Sequence, residues 1–395
     1  MKSKLVYFDQ AATTAVSPEV FSAMKPFFGE KFGNPSEPHL AGRWAREAVE
    51  KAREQTALFL GAKEEEIIFT SGATESINLA HKGLVEALNG KSPKPHLITS
   101  STEHKAVLES LKHLEKLKLA EVTYLLVDQN GLVSLDSLKK AIRPETILVS
   151  VMYVNNETGA IQPIVEIGRL LEEINASREK KIYFHTDATQ AIQYLDCDVN
   201  KLGVDLLSLS GHKFHAPKGV GVLFCRKGTP LARQQDGGGQ EFGLRAGTEN
   251  VPYIVALGKA LDLLKGHQKE LVNKVLSLRS ELTTGILKIP GVSLVGDPQK
   301  NAPHIATFLI ERTEGESLLL LLSEKRIAAS SGSACTSGLL KPSHVLLAMG
   351  YPPQKAHGSL RFSLGAENTK EEVDYVLQVL PQIILQLRRM APDGF

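Results

Sequence analysis

At 395 residues the chain is longer than one hydrophobic core comfortably fills, so two domains are expected. Its 42% hydrophobic and 23% charged residues are ordinary for a water-soluble globular protein, and a formal net charge of +2 excludes a global field that would draw in nucleic acid or an anionic membrane. Three widely spaced cysteines with no CxxC pair exclude a four-cysteine zinc site and argue against a disulfide framework; no metal site is read from the chain.

The opening Met1-Lys2-Ser3-Lys4-Leu5-Val6-Tyr7-Phe8-Asp9 has basic residues and then too short an apolar run for a secretory signal, so a mature cytoplasmic protein is expected. Glu66 to Thr70 predicts a strand, followed by a helix with Ile77, Leu84, Val85 and Leu88 on one face. Further strands are predicted at His96–Thr99, Val122–Leu125, Ile147–Val151, Ile182–Phe184, Leu206–Leu209 and Val220–Phe224, most of them separated by helical stretches. That alternation implies an α/β domain with a mostly parallel sheet covered by helices on both faces. In such folds a ligand sits outside the carboxyl ends of the strands, here Thr70, Ser100, Val154, Thr186 and Ser210.

From Pro252 a long helical stretch, with Leu257, Leu261, Leu264, Leu271, Val275, Leu278 and Leu282 at helical spacing, connects to a smaller C-terminal α/β domain. That domain has strands near Ile305–Phe308 and Leu360–Ser363, and a last helix opened by the capping box Thr369-Lys370-Glu371-Glu372. The most apolar run, Leu318 to Leu322, is far too short to span a bilayer. Small residues from Ser330 to Gly338 read as a mobile loop.

The chemistry gathers at the strand exits. Lys213, in Ser210-Gly211-His212-Lys213, leaves a buried strand, where a lowered pKa would free its amine as a nucleophile. A strand-end lysine reaching into water is the alternative. Asp187 ends the preceding strand, and a buried acid is costly unless it meets a cation; the protonated ring nitrogen of pyridoxal phosphate is one such cation. Ser71-Gly72-Ala73-Thr74-Glu75 follows a strand and opens a helix, which suits a phosphate or a plain capped turn. Ser210 and His212 could add donors to that phosphate, and the permissive Gly237–Thr248 segment offers the Thr248 hydroxyl. His104 could stack on a cofactor ring and move protons, or simply begin a helix. Asn156, after Asn155, and Gln190 could bond a ring hydroxyl and a carboxylate, or satisfy strand-end backbone. Arg361 in a short strand suits a substrate carboxylate or an internal acid. Cys197 and Cys225 look like packing residues, whereas Cys335 stands among serines and glycines as an accessible thiol. A dinucleotide site is disfavoured because no GxGxxG follows the first strand.

With these residues placed, the chain resembles the pyridoxal-phosphate-dependent cysteine desulfurases. These are class-V aminotransferases of fold type I, and the similarity is to the branch with a flexible catalytic loop. The likeness runs nearly end to end, through Phe8–Thr14, Phe32–Ser36, Thr70–Glu75, Thr102–Lys105, Val154–Glu157, His185–Gln190, Ser210–Lys213, Arg245–Thr248, Ser330–Ser337, Pro342–Leu346 and Arg361–Gly365. It implies a large cofactor-binding domain over residues 15–260 and a small domain from residues 1–14 and 261–395. Lys213 would hold pyridoxal 5'-phosphate as an imine, Asp187 would pair with the ring nitrogen, Gln190 and Asn156 would touch ring substituents, and His104 would cover the ring. Ala73, Thr74, Ser210 and His212 would hold the phosphate, with Thr248 reaching in from the partner subunit of a homodimer with a shared active site. Arg361, helped by Asn34, would take the carboxylate of L-cysteine. Cys335 would receive the sulfur as a persulfide and pass it to an acceptor protein in iron–sulfur cluster or thiolation pathways, leaving alanine.

Gln10 and Ala216 depart from residues common in relatives, and neither touches an assigned role. The chain ends soon after Arg388-Arg389-Met390, so which acceptor it would serve is open. A selenocysteine lyase or another C–S lyase would share the same cofactor residues, and a cofactor-less sulfur-transfer partner would lack a use for Lys213 and Asp187.

Overall fold

The computed structural model describes residues 5–88, 94–331 and 342–390. Among these, the strands are β1 (Val6–Tyr7), β2 (Ile67–Thr70), β3 (His96–Ser100), β4 (Glu121–Leu125), β5 (Thr146–Ser150), β6 (Tyr183–Asp187), β7 (Leu206–Ser210), β8 (Gly221–Cys225), β9 (Val292–Leu294), β10 (Ile305–Ile310), β11 (Ile327–Ala328) and β12 (Ser359–Ser363). The central sheet has the order β2-β8-β7-β6-β5-β3-β4, so every strand predicted for the first two-thirds of the chain lies in it. The inner strands β5 and β7 are buried at every position, which is why they read as apolar runs without alternation.

One strand departs from the parallel expectation. β8 runs antiparallel between β7 and β2. The link from Ser210 to Gly221 is too short for a crossover helix, and a parallel return needs a dozen or more residues, so the chain can only double back.

The helix Val251–Ile286 is 36 residues long and thus about 54 Å end to end. Val251, Ile254, Leu257 and Leu261 pack into the core beneath the central sheet, while Val275, Leu278, Leu282 and Ile286 enter a second core. Its first half lies against the helix Leu40–Leu60 so closely that a Cβ on Gly258 would stand 2.7 Å from the Ala52 Cα.

The second core is built on the antiparallel sheet β12-β10-β9 and the helix Lys370–Met390. As the sequence suggests, Thr369 and Glu372 cap that helix reciprocally: each side chain accepts a hydrogen bond from the other's backbone N–H, both at 3.3 Å. The chain's beginning joins this core rather than the first. β1 pairs with β11 in parallel, and Phe8 meets Phe362 edge-on at 6.1 Å. From there the strand continues as a strap, Asp9 to Thr14, that crosses to the large sheet, where the Thr14 backbone N–H donates to the His212 carbonyl.

A buried ion pair locks the segment after β8 onto the sheet. Arg53 donates from Nη1 and Nη2 to the two carboxylate oxygens of Glu241 at 3.0 and 2.9 Å, and Glu241 also accepts from the Phe69 backbone N–H at 2.7 Å. Glu241 and Phe242 adopt φ of 45° and 57°, a region costly for residues with side chains, so the pair over-determines a strained turn. Removing Glu241 leaves the buried Arg53 with only the exposed Glu50, 3.4 Å from its Nε, as a carboxylate partner. Glu241→Ala should therefore lower the unfolding free energy by about 3 to 5 kcal/mol in urea titrations.

Candidate active site

Five strand ends converge on one cavity of about 540 Å³. β2 delivers Ser71 to Glu75, the loop after β3 delivers His104, the loop after β5 delivers Val154 and Asn156, β6 ends on Asp187, and β7 runs into Ser210, His212 and Lys213. Arg361 enters from β12 of the small sheet, and Ala11 and Ala12 come from the N-terminal strap. Two bodies thus build one site.

One end of the cavity is formed where the helix Ala73–Leu88 begins. The first-turn N–H groups of a helix have no intrahelical acceptors, and its dipole favours an anion there. Gly72 holds the turn at φ +153°, and it lies so tightly on β8 that a Cβ on Gly221 would stand 2.5 Å from the Gly72 Cα. The Ser210 Oγ would stand 3.4 Å from a Cβ on Gly72, and His212 lines the same cavity. Burial lowers the His212 imidazole to about 4, so it is neutral near pH 7.

Lys213 brings an amine into the cavity. Its Nζ donates to the carbonyls of Ala11 and Ala12 at 2.6 and 2.8 Å. Desolvation, reinforced by the Arg361 charge, brings its pKa from 10.5 down to about 8. Asp187 is 5% exposed, and its carboxylate accepts the Thr189 backbone N–H at 2.9 Å. Among the described residues no cation pairs with it, an arrangement that calls for a cationic ligand. His104 caps the helix Lys105–Lys116 by accepting the Ala106 N–H on Nδ1 at 3.1 Å, which leaves Nε2 for the cavity. Desolvation lowers its pKa, so the neutral ring presents an Nε2–H.

Arg361 has the internal acid that the sequence reading left open as its partner. It lines the cavity, yet its Nη2 pairs with Asp9 at 2.9 Å and its Nη1 donates to the Asn156 carbonyl at 2.6 Å. Gln190 lines the cavity too, but its Nε2 donates to the Ala11 carbonyl and its Oε1 accepts from His304. Thr248 and Asn34 do not line this cavity in a single chain; both are exposed, and Asn34 accepts the Ser36 N–H at 3.0 Å. Cys335 lies outside the described residues. Burial pushes the thiols of Cys197 and Cys225 up, the latter to about 12, in keeping with packing roles. The residues that sequence reasoning missed are Asp9, Ala11, Ala12 and Thr189. Three of them act through backbone carbonyls or a short polar side chain, which carry no composition signal, and only the likeness over Phe8–Thr14 pointed to the strap.

A model of the aminotransferase class-V family matches residues 6–376. The chain belongs to the class-V aminotransferases. It is 51% identical to the cysteine desulfurase IscS of Methanosarcina thermophila over 99% of this chain and 95% of that one. It is 49% identical to the cysteine desulfurase IscS of Dictyoglomus turgidum over 98% of this chain and 96% of the other. Among solved structures, a NifS-like protein superposes with a TM-score of 0.90 at 39% identity, covering 97% of this chain and all of the other. SspA in complex with cysteine superposes at 0.80 with 38% identity, covering 92% and 100%. These full-length relatives support cysteine desulfurase function for this class-V chain, and their architecture agrees with the fold type I expectation.

Pyridoxal phosphate, the cofactor of class-V desulfurases, fits the residues present. The cavity offers a lysine whose pKa is lowered to about 8, a buried carboxylate with no cationic partner among the described residues, a helix start for the phosphate, and the Thr189 Oγ1, which is buried without a partner. Because desolvation disfavours the ammonium, Lys213 contributes a folding penalty below pH 8 that fades as pH rises from about 8 toward 10.5. Accordingly, labelling of Lys213 in the apoprotein by an amine-reactive sulfonate, followed by peptide mapping, should rise with a midpoint near pH 8. A midpoint near that of exposed lysines would contradict the burial argued above.

Proposed function

We propose that the cavity holds pyridoxal 5'-phosphate and that the chain converts L-cysteine to L-alanine, taking the sulfur onto Cys335 as a persulfide. The observation that carries this reading is the meeting of three groups in one cavity: the Lys213 amine, the Asp187 carboxylate without a cationic partner, and the Arg361 guanidinium. An amine that forms carbonyl adducts, an acid for a pyridinium and a cation for a carboxylate are the needs of amino-acid chemistry on this cofactor.

Lys213 would hold the cofactor's aldehyde, Asp187 its ring nitrogen, and Ala73, Thr74, Ser210 and His212 its phosphate. Asn156 and Gln190 would approach ring substituents. When bound, the cofactor supplies an electron-withdrawing ring that makes the substrate's α-proton removable. Arg361, with Asn34, orients the substrate carboxylate. Lys213, once its amine is free, is the base that takes the α-proton, and its lowered pKa keeps that amine competent near neutral pH. His104 covers the ring face and can pass a proton at Nε2. The Cys335 thiolate attacks the substrate sulfur; an S–S bond forms, the C–S bond breaks, and its electron pair stays on the β-carbon, which takes a proton, after which Lys213 returns a proton to the α-carbon and alanine leaves.

A second copy of the chain would complete the site through Thr248, giving a homodimer. Exposed Phe32, Leu40, Trp44 and Phe242 on the segments around Asn34 and Glu241 supply apolar surface for such a contact. We further infer that residues 15–260 form the large domain and residues 1–14 and 261–395 the small one, supported by the two separate cores. The persulfide would pass to an acceptor protein of iron–sulfur or thiolation pathways in the cytoplasm, with no direct nucleic-acid or membrane partner. No helix among the described residues is long and apolar enough to cross a membrane.

Incubation with free cysteine should add one sulfur atom to the Cys335 peptide by mass spectrometry, and Cys335→Ala should lower sulfide release at least about a hundredfold while retaining bound cofactor. Release of sulfide without a modified Cys335 peptide would point to a simple C–S lyase instead. Lys213→Ala should bind the cofactor only reversibly and fail to turn over, as measured by alanine formation.

A further inference from the structure

The acid on Arg361 has no part in the roles assigned above. Arg361 is 7% exposed and Asp9 19% exposed, with Nη2 and Oδ1 2.9 Å apart. Arg361 lines the cavity and Asp9 does not, so the guanidinium stands between an internal carboxylate and the space where a substrate carboxylate would bind. Asp9 does not reach it by chance. The strap that carries it is pinned on both sides: Phe8 donates its N–H to the Ala328 carbonyl, Gln10 donates to the Ser363 carbonyl at 3.1 Å, and Ala11 donates to the Ser363 hydroxyl at 2.9 Å.

The pair is also incomplete. One carboxylate oxygen meets one Nη atom instead of forming the bidentate fork that an arginine and a carboxylate usually make. Arg361 Nε is buried with no acceptor at all. A guanidinium held this way keeps donors in reserve. Any carboxylate that binds it from the cavity must share its charge with Asp9, and two like charges on one cation weaken each other's hold.

We propose that Asp9 is a specificity-determining residue that competes with the substrate carboxylate for Arg361 and so sets how weakly the site holds a bare carboxylate. This rests on Arg361 being the carboxylate anchor of the proposed desulfurase reading. The same strap seats the Lys213 amine on the Ala11 and Ala12 carbonyls. One segment therefore contacts both active-site cations and counters their charge.

The test uses 3-mercaptopropionate, which has the thiol and carboxylate of cysteine but no amine to react with an aldehyde, titrated calorimetrically into cofactor-loaded protein. Asp9→Asn keeps the shape and a hydrogen-bonding group while removing the charge. It should lower the Kd for the probe about fivefold, since a like charge near the bound carboxylate is gone. Asp9→Ser should also tighten binding. Arg361→Gln should weaken binding by at least about tenfold. A purely structural Asp9 would show unchanged or weaker binding in both Asp9 variants at wild-type melting temperature, and that result overturns the proposal. If instead Arg361→Gln leaves the Kd unaltered, the carboxylate-anchor assignment itself fails. The KM for L-cysteine should follow the Kd in the Asp9 variants while kcat changes less.

Discussion

The structure depends on keeping a lysine amine out of water. Lys213 sits where β7 ends, with Arg361 close enough to oppose its charge and the strap carbonyls of Ala11 and Ala12 as its hydrogen-bond acceptors. An ammonium in bulk water would never be uncharged enough at neutral pH to act as a nucleophile. Here desolvation and a like-signed neighbour do the work, and Asp187 limits how far the shift goes. Much of the fold serves that balance, because the three charges come from three different strands and must be held at fixed separations.

The holding is done by rigid parts. β5 and β7 are buried along their lengths and β6 everywhere but at Tyr183, and they are bridged by a neutral polar network in which Ser150 and Ser208 bond the two ring nitrogens of His185 at 2.8 and 2.9 Å. Burial keeps His185 and its edge-on neighbour His81 well below the usual imidazole pKa, so no charge enters the sheet two residues from Asp187. The second core contributes differently. It reaches the cavity through Arg361 and through the strap, and both are fastened to each other by the Asp9 ion pair and the Ser363 bonds. The cavity therefore sets a guanidinium borne by the antiparallel sheet beside an amine borne by the central sheet.

Near the Asn156 carbonyl, Glu157 is a further buried acid, raised to about 7 by desolvation and held by the Ser343 hydroxyl. Glu103, beside His104, is raised as well, with one oxygen accepting the Met152 N–H at 2.7 Å. These protonatable acids flank the strand ends without adding negative charge to the cavity at low pH. The charges that bear on Lys213 are those of Arg361, Asp187, Asp9 and Lys218.

The amino-acid sequence by itself determined what depends on local pattern. The strands of the central sheet, the long connecting helix and the Thr369–Glu372 cap were legible because apolar runs, helical spacing and capping residues act over a few positions. The gathering of Lys213, Asp187, His104 and the Ser71–Glu75 turn followed from the rule that ligands meet strand ends. Tertiary structure alone decided the antiparallel return of β8 and the pairing of Asp9 with Arg361 across 352 positions. It also decided that Gln190 spends its amide on Ala11 and His304. Contacts of that separation leave no periodic trace in the chain, because their energy comes from charges and carbonyls that meet only after both cores have formed.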